Sequence, residues 1–194
     1  MEYTKNKLPI KTQEYLNKMK EYLDTKLYFY GSVQRLDFFS NHSDIDICIF
    51  TDNTQTMINK LASFLHINKK QIKKIFLNIK NNSNKYDIIY CYKVFYKNPK
   101  KNLILEITIC NEKYKKQMFN NYIKGFNLPS YIIFILFMLK FIYYYLHIIS
   151  FDYYNKYKNI IINFGKGDIK SIEDIKNNNS NVYYIDNNNQ TINI

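Results

Sequence analysis

The sequence predicts an α+β fold: a short mixed β-sheet with helices packed behind it, followed by a small helical C-terminal part. Three observations carry this reading. Apolar residues recur at helical spacing in Thr12–Leu23 and Thr54–Leu65. Short runs rich in β-branched and aromatic residues recur at Lys26–Tyr30, Asp44–Phe50, Tyr86–Tyr96 and Leu103–Cys110. A nearly continuous apolar run, Tyr131–Ile149, then reads as one long helix.

Taken in order, Thr12 is a candidate N-cap for a helix whose apolar face is Tyr15, Leu16, Met19, Tyr22 and Leu23. Lys26–Tyr30 is a short strand running straight into Gly31-Ser32. Asp44–Phe50 alternates carboxylate and apolar side chains and then turns wholly apolar, a strand with one end in a site and the other in the core. Thr54–Leu65 places Met57, Ile58, Leu61 and Leu65 on one helical face, whereas Ile72–Ile79 is ambiguous between helix and strand. Tyr86–Tyr96 and Leu103–Cys110 flank Asn98-Pro99-Lys100-Lys101 and read as a hairpin. Lys113–Asn121 is a polar, helical connector that Gly125–Asn127 breaks, and Pro129 suits the first turn of the long helix. Beyond about Phe164 apolar periodicity fades into Asn runs at 177–179 and 187–189, a loose tail. The expected division is therefore a core over 1–122, a helical part over 123–165 and a tail over 166–194.

Composition narrows the function. With 46% hydrophobic and 23% charged residues over 194 positions, the chain is globular, not disordered. Its 28 Lys and Arg against 16 Asp and Glu leave +12, which favours an acidic partner: nucleic acid, a nucleotide polyphosphate or an anionic membrane surface. Three cysteines, Cys48, Cys91 and Cys110, are too few for a disulfide scaffold and form no CxxC pair. Each lies in an apolar run where a buried thiol is expected, and with only His42, His66 and His147 beside them no zinc site is expected. The N-terminal MEYTKNKLPIK has no apolar h-region, so the expected setting is a reducing cytoplasm. Tyr131–Ile149 approaches the length of a membrane span, but Lys140 at its centre argues for the central helix of a soluble domain.

The informative constellation is Gly31-Ser32, eleven residues, then Asp44-Ile45-Asp46-Ile47. Glycine lets a backbone approach a ligand at positive φ, and the N–H groups about Ser32 suit an anion. Asp44 and Asp46 point to one side of a strand, about 6.6 Å apart at the backbone. Paired carboxylates in so apolar a strand need a cation, and Mg²⁺ (or Mn²⁺) prefers oxygen ligands shared with substrate phosphates. Two such ions clamp the attacking and leaving oxygens of a phosphoryl displacement.

This pattern resembles the signature of the nucleotidyltransferase superfamily related to DNA polymerase beta: a hydrophobic residue, Gly, Gly or Ser, 9–13 residues, then Asp-h-Asp/Glu-h. The resemblance covers about Thr12–Tyr145. It implies a third acid on a later strand, for which Glu106 stands in place and Asp87 is the alternative. It implies catalysis by Asp44, Asp46 and Glu106 as metal ligands, with Gly31 and Ser32 binding the nucleotide. The helix about Lys140 resembles that of poly(A)- and uridylyl-transferase-like members, implying that Lys140 reaches the triphosphate; the alternative is a Lys that snorkels to water. Tyr143 and Tyr144 are candidates for stacking on a base. The implied reaction moves a nucleoside monophosphate from an NTP to an acceptor hydroxyl, with an RNA 3′ end favoured by the charge. The chain departs from larger polymerase-like members in lacking a second block for base recognition. Two other readings therefore stand: an inactive nucleotide- or RNA-binding subunit of a larger assembly, and a minimal enzyme modifying a protein or small molecule.

Overall fold

The computed structural model describes residues 2–80, 86–99, 102–123, 127–165, 182–185 and 191–192. Helix α1 (Ile10–Leu23) leads into β1 (Tyr28–Tyr30) and a single 3₁₀ turn at Gly31–Gln34. Strand β2 (Ile45–Thr51) and helix α2 (Thr54–Leu65) follow, then β3 (Lys73–Lys80), β4 (Tyr86–Asn98) and β5 (Leu103–Asn111). Helix α3 (Lys115–Gln117) continues as a wide π turn over Met118–Ile123. Helices α4 (Ser130–Phe141) and α5 (Phe151–Gly165) precede two short strands, β6 (Val182–Ile185) and β7 (Thr191–Ile192).

The sheet order is β1-β2-β5-β4-β3-β6-β7. It is mixed as expected, because β2 and β5 run parallel while the other neighbours are antiparallel. The parallel pair matters most: its register sets Asp46 beside Glu106 and Ile47 beside Ile107. Alternation then divides the side chains between two faces. Ile45, Ile47, Ile49, Leu105, Ile107 and Ile109 bury against α1 and α2 through Leu16, Met19, Leu23, Met57, Ile58, Leu61 and Leu65. Cys48, Phe50, Ile75, Leu77, Ile89, Cys91 and Cys110 point the other way, where Met118 and Ile123 close over them.

The structure changes several local expectations. Helix α1 starts at Ile10 behind Pro9, so Thr12 is a buried residue of its first turn and caps nothing. Pro9 pre-sets the entry into the helix, and Pro9 O accepts from the backbone N–H groups of Thr12 and Gln13. Asn53 caps α2 by accepting from the Thr56 N–H at 3.0 Å. The ambiguous Ile72–Ile79 run is strand β3, since Ile75, Leu77 and Ile79 alternate into the second core. The β4–β5 hairpin forms as read, although Lys100 and Lys101 of its turn lie outside the described residues. Cys91 and Cys110 are not two separate thiols: they face each other in that hairpin and form a disulfide, while Cys48 is a buried free thiol. They stand nineteen positions apart, so only the hairpin register brings them together.

The long C-terminal helix is also corrected. It ends at Phe141, widens into a π turn at Ile142–Leu146, and reverses at His147, whose φ of 51° is left-handed. Reversal brings Ile161 and Ile162 of α5 back over Leu128, Ile132 and Leu136. Among the described residues no helix is long and apolar enough to cross a membrane. Helix α4 is nonetheless apolar all round, and Tyr131, Phe134, Ile135 and Met138 stay exposed. Of the tail, β6 pairs with β3 and β7 with β6, which apolar periodicity did not foretell; residues 166–181 and 186–190 lie outside the described residues, as does the Gly125 break.

Candidate active site

Strand β1 delivers the chain to Gly31, whose φ is +70°. A Cβ there would overlap Asp46 Oδ2 and lie 2.8 Å from Asp46 Cγ. Glycine is thus required twice, by its backbone conformation and by the carboxylate packed against it. Gly31→Ala is expected to destabilise the fold by about 1–3 kcal/mol and to displace Asp46. Urea unfolding and metal binding of the variant check both. Ser32 follows, buried, its Oγ without a hydrogen-bond partner among the described residues. A buried hydroxyl in that condition is costly unless something else meets it.

Asp44 stands one residue before β2 and Asp46 is its second residue. With Glu106 they form a partly exposed cluster, one carboxylate oxygen of each lying within 4.8 Å of the others. Asp87, the alternative third acid, is elsewhere: it accepts from Gln117 Nε2 at 2.8 Å and belongs to no such cluster among the described residues. Glu106 also pairs with Lys93 of β4, Nζ to Oε1 2.7 Å. Burial first, then the charges of Asp44 and Glu106, push the Asp46 carboxyl well above the ordinary carboxylate range, against the pull of Lys158 and Lys93. Three carboxylates crowding one another are a ligand set wanting a cation. The donors are all hard oxygens, a fit to Mg²⁺ or Mn²⁺. The unmatched Ser32 hydroxyl leaves a hydrogen-bond donor in the adjoining turn that suits an anion.

The raised Asp46 value has a sign that can be measured. A carboxyl whose folded value lies above its unfolded one stabilises fully below about pH 4 and loses that contribution as pH rises through the folded value. Cation binding needs the ionised form. Added Mn²⁺ is therefore expected to raise Tm more at about pH 8 than at about pH 5, read by thermal unfolding with and without the ion.

Lys140 is 3% exposed and committed to Asp37: its Nζ donates to the Asp37 backbone O at 2.8 Å and sits 3.0 Å from Oδ2. Arg35 grips the same carboxylate, Nε to Oδ1 2.7 Å and Nη2 to Oδ2 3.0 Å. Burial alone would raise Asp37, but these cations hold it below the ordinary range. Burial lowers Lys140 from its usual value despite the attraction of Asp37. Arg35 and Asp37 lie inside the eleven-residue spacer, where only the Arg-x-Asp pairing signalled them. Lys158 of α5 was missed altogether; its charge is felt at Asp46, Lys140 and Tyr144. No spacing rule finds it, because the reversal at His147 places it.

The two candidate stacking tyrosines already have partners. Tyr143 stacks on Tyr154 with centroids 4.3 Å apart, and Tyr144 stacks on His42 at 4.8 Å. Phe39 stacks on Phe137 at 5.2 Å. Phe39 and His42 hold the loop ahead of Asp44 against α4 and the π turn that follows it, and Tyr143 holds that turn against α5.

Comparison with known proteins adds one finding. The sequence pattern of the nucleotidyltransferase domain family matches residues 12–119, more than half of the chain. No curated protein and no solved structure matches it. The matched stretch holds β1 to β5 with their glycine turn and acidic cluster, and stops short of α4. Through that sheet, the chain belongs to the nucleotidyltransferase domain family.

Proposed function

We propose that this protein is a metal-dependent nucleotidyltransferase that moves a nucleoside monophosphate from an NTP to an acceptor hydroxyl, the acceptor being an RNA 3′ end. The observation that carries the reading is the parallel β2–β5 register, which sets Asp46 beside Glu106, with Asp44 close by and Gly31, lacking a side chain, admitting the Asp46 carboxylate against the turn. Asp44, Asp46 and Glu106 would hold Mg²⁺ or Mn²⁺. When bound, the metal supplies charge neutralisation and Lewis acidity at the phosphates.

The chain's own residues do the rest. The Gly31–Ser32 turn receives the phosphates on backbone N–H groups and the Ser32 hydroxyl. Glu106 accepts the proton of the attacking hydroxyl as the new O–Pα bond forms. The bond from Pα to the bridging oxygen breaks, and pyrophosphate leaves with the electron pair. Lys158 offers positive charge towards the acids and the leaving group. Lys140 serves the nucleotide by fixing Asp37, and with it the loop that carries Asp44.

The test supplies each α-labelled NTP with Mg²⁺ or Mn²⁺, with and without short RNA. Label on RNA confirms the reading. Label on the protein itself, or none on any acceptor despite metal-dependent NTP binding, refutes the RNA acceptor. A second reading, a nucleotide-binding subunit of an assembly, is favoured by one observation: the exposed apolar side chains of α4. It predicts NTP binding without transfer until a partner is restored.

A further inference from the structure

The sheet face that carries the acids has two unlike halves. In one, Met118 and Ile123 seal Ile75, Leu77, Ile89, Cys91 and Cys110 into a closed core. In the other, the same face meets solvent. Phe95 of β4 stands directly opposite Glu106 and is 61% exposed. Directly paired residues share a face, so its ring lies on the side of the acids, about 5 Å away at the backbone. Lys97, two residues on, shares that face and is exposed. Lys73 shares it too, because it pairs with Lys93 and Lys93 with Thr108. Strand β3 starts at Lys73, so the described pairing leaves β4 beyond Lys93 with β5 as its neighbour on one flank only. The result is a row running outward from the acids: Asp46, Glu106, a bare aromatic ring, and cations on either side of it.

An exposed Phe alone is ordinary. An exposed Phe in register with a candidate catalytic acid, flanked by lysines in a +12 chain, has the make-up of a single-strand platform: a ring on which a base stacks, and cations that meet phosphates. We infer that this open half-face seats the acceptor as a single-stranded nucleic acid. One base stacks on Phe95, and Lys97 and Lys73 meet the adjoining phosphates. The terminal hydroxyl is thereby directed at the Asp44–Asp46–Glu106 cluster. Lys93 is left out of this role because Glu106 holds it. The inference deepens the transfer reading and rests on it for the direction of the hydroxyl.

The test is fluorescence anisotropy of a labelled single-stranded 12-mer, RNA and DNA in separate titrations, without metal or NTP. Phe95→Ala is expected to weaken binding about fivefold or more. Lys73→Glu with Lys97→Glu is expected to weaken it about tenfold or more and to flatten its salt dependence. The control is Lys11→Glu with Lys18→Glu on α1, an equal charge change remote from the row, expected to have a much smaller effect. Equal loss in the control, or unaltered binding by a folded Phe95→Ala protein, overturns the inference. So does failure of the wild type to bind either oligonucleotide, including the case where a polypeptide is labelled instead. NTP binding by Phe95→Ala should match wild type. Phe95-dependent binding with no transfer would leave this site standing and refute the transfer reading, so the two fail separately. Preference for RNA over DNA identifies the 2′-hydroxyl as part of the recognised strand, and equal affinity identifies base and phosphate alone; either supports the platform.

Discussion

Asp46→Asn is expected to abolish nucleotidyl transfer, by about a thousandfold or more, while making the metal-free protein more stable near pH 8. The two effects share one cause. Asp46 packs against Gly31 among two other carboxylates, so ionising it opposes both burial and its neighbours. An amide of the same shape keeps the packing and removes the charge whose burial and neighbours oppose it. It also removes a metal ligand, and each factor of ten in rate corresponds to about 1.4 kcal/mol of lost transition-state stabilisation. Asp44→Asn should lose activity similarly. The measurements are transfer of labelled NTP and urea unfolding of both variants with and without Mn²⁺. Wild type should gain stability from the ion and Asp46→Asn should gain little. Turnover retained in both variants would remove these residues from the mechanism.

What was legible in the sequence, and what was not, follows from the range of the interactions. Strands and helices of the core came from period-two and helical patterns, which are local. The glycine turn and Asp44-x-Asp46 were legible because they lie within sixteen residues, 31 to 46, and because their chemistry restricts the residue types. Glu106 needed the resemblance: nothing in Leu103–Cys110 says which side of β5 meets β2, and a shift of one residue would turn it away. The disulfide was hidden for the same reason, since Cys91 and Cys110 meet only through hairpin register. Tyr131–Ile149 misled as a single helix because hydropathy does not register a reversal at one left-handed residue, His147. Lys140 stands out in the sequence as a cation that cannot lie idle in an apolar helix, with a phosphate as its expected partner. Its partner in the structure is Asp37, 103 residues earlier, which spacing could not supply.

That ion pair yields the largest expected effect on stability. Asp37→Ala should destabilise the protein by about 3–5 kcal/mol, because it leaves Lys140 buried and unpaired. Asp37 is fully buried and held by both Arg35 and Lys140. Lys140→Met should cost less, since Arg35 still grips the carboxylate and the thioether chain fills the same space in α4. Asp37→Ala with Lys140→Met should recover much of the loss, and the non-additivity in a double-mutant cycle measures the coupling. The pH dependence has a definite sign. A carboxyl held below its unfolded value stabilises above about pH 4, and the contribution is lost as pH falls through the lowered folded value. Wild type should therefore lose stability more steeply in acid than the Asp37→Ala, Lys140→Met double variant. Function should follow, because Asp37 and Lys140 tie α4 to the loop that ends at Asp44. Lys140→Met is expected to lower transfer through a looser Asp44, and raising the Mn²⁺ concentration should restore part of it. Loss that Mn²⁺ leaves untouched, with a weaker NTP affinity, would instead mean that the ammonium leaves Asp37 and meets the phosphates itself.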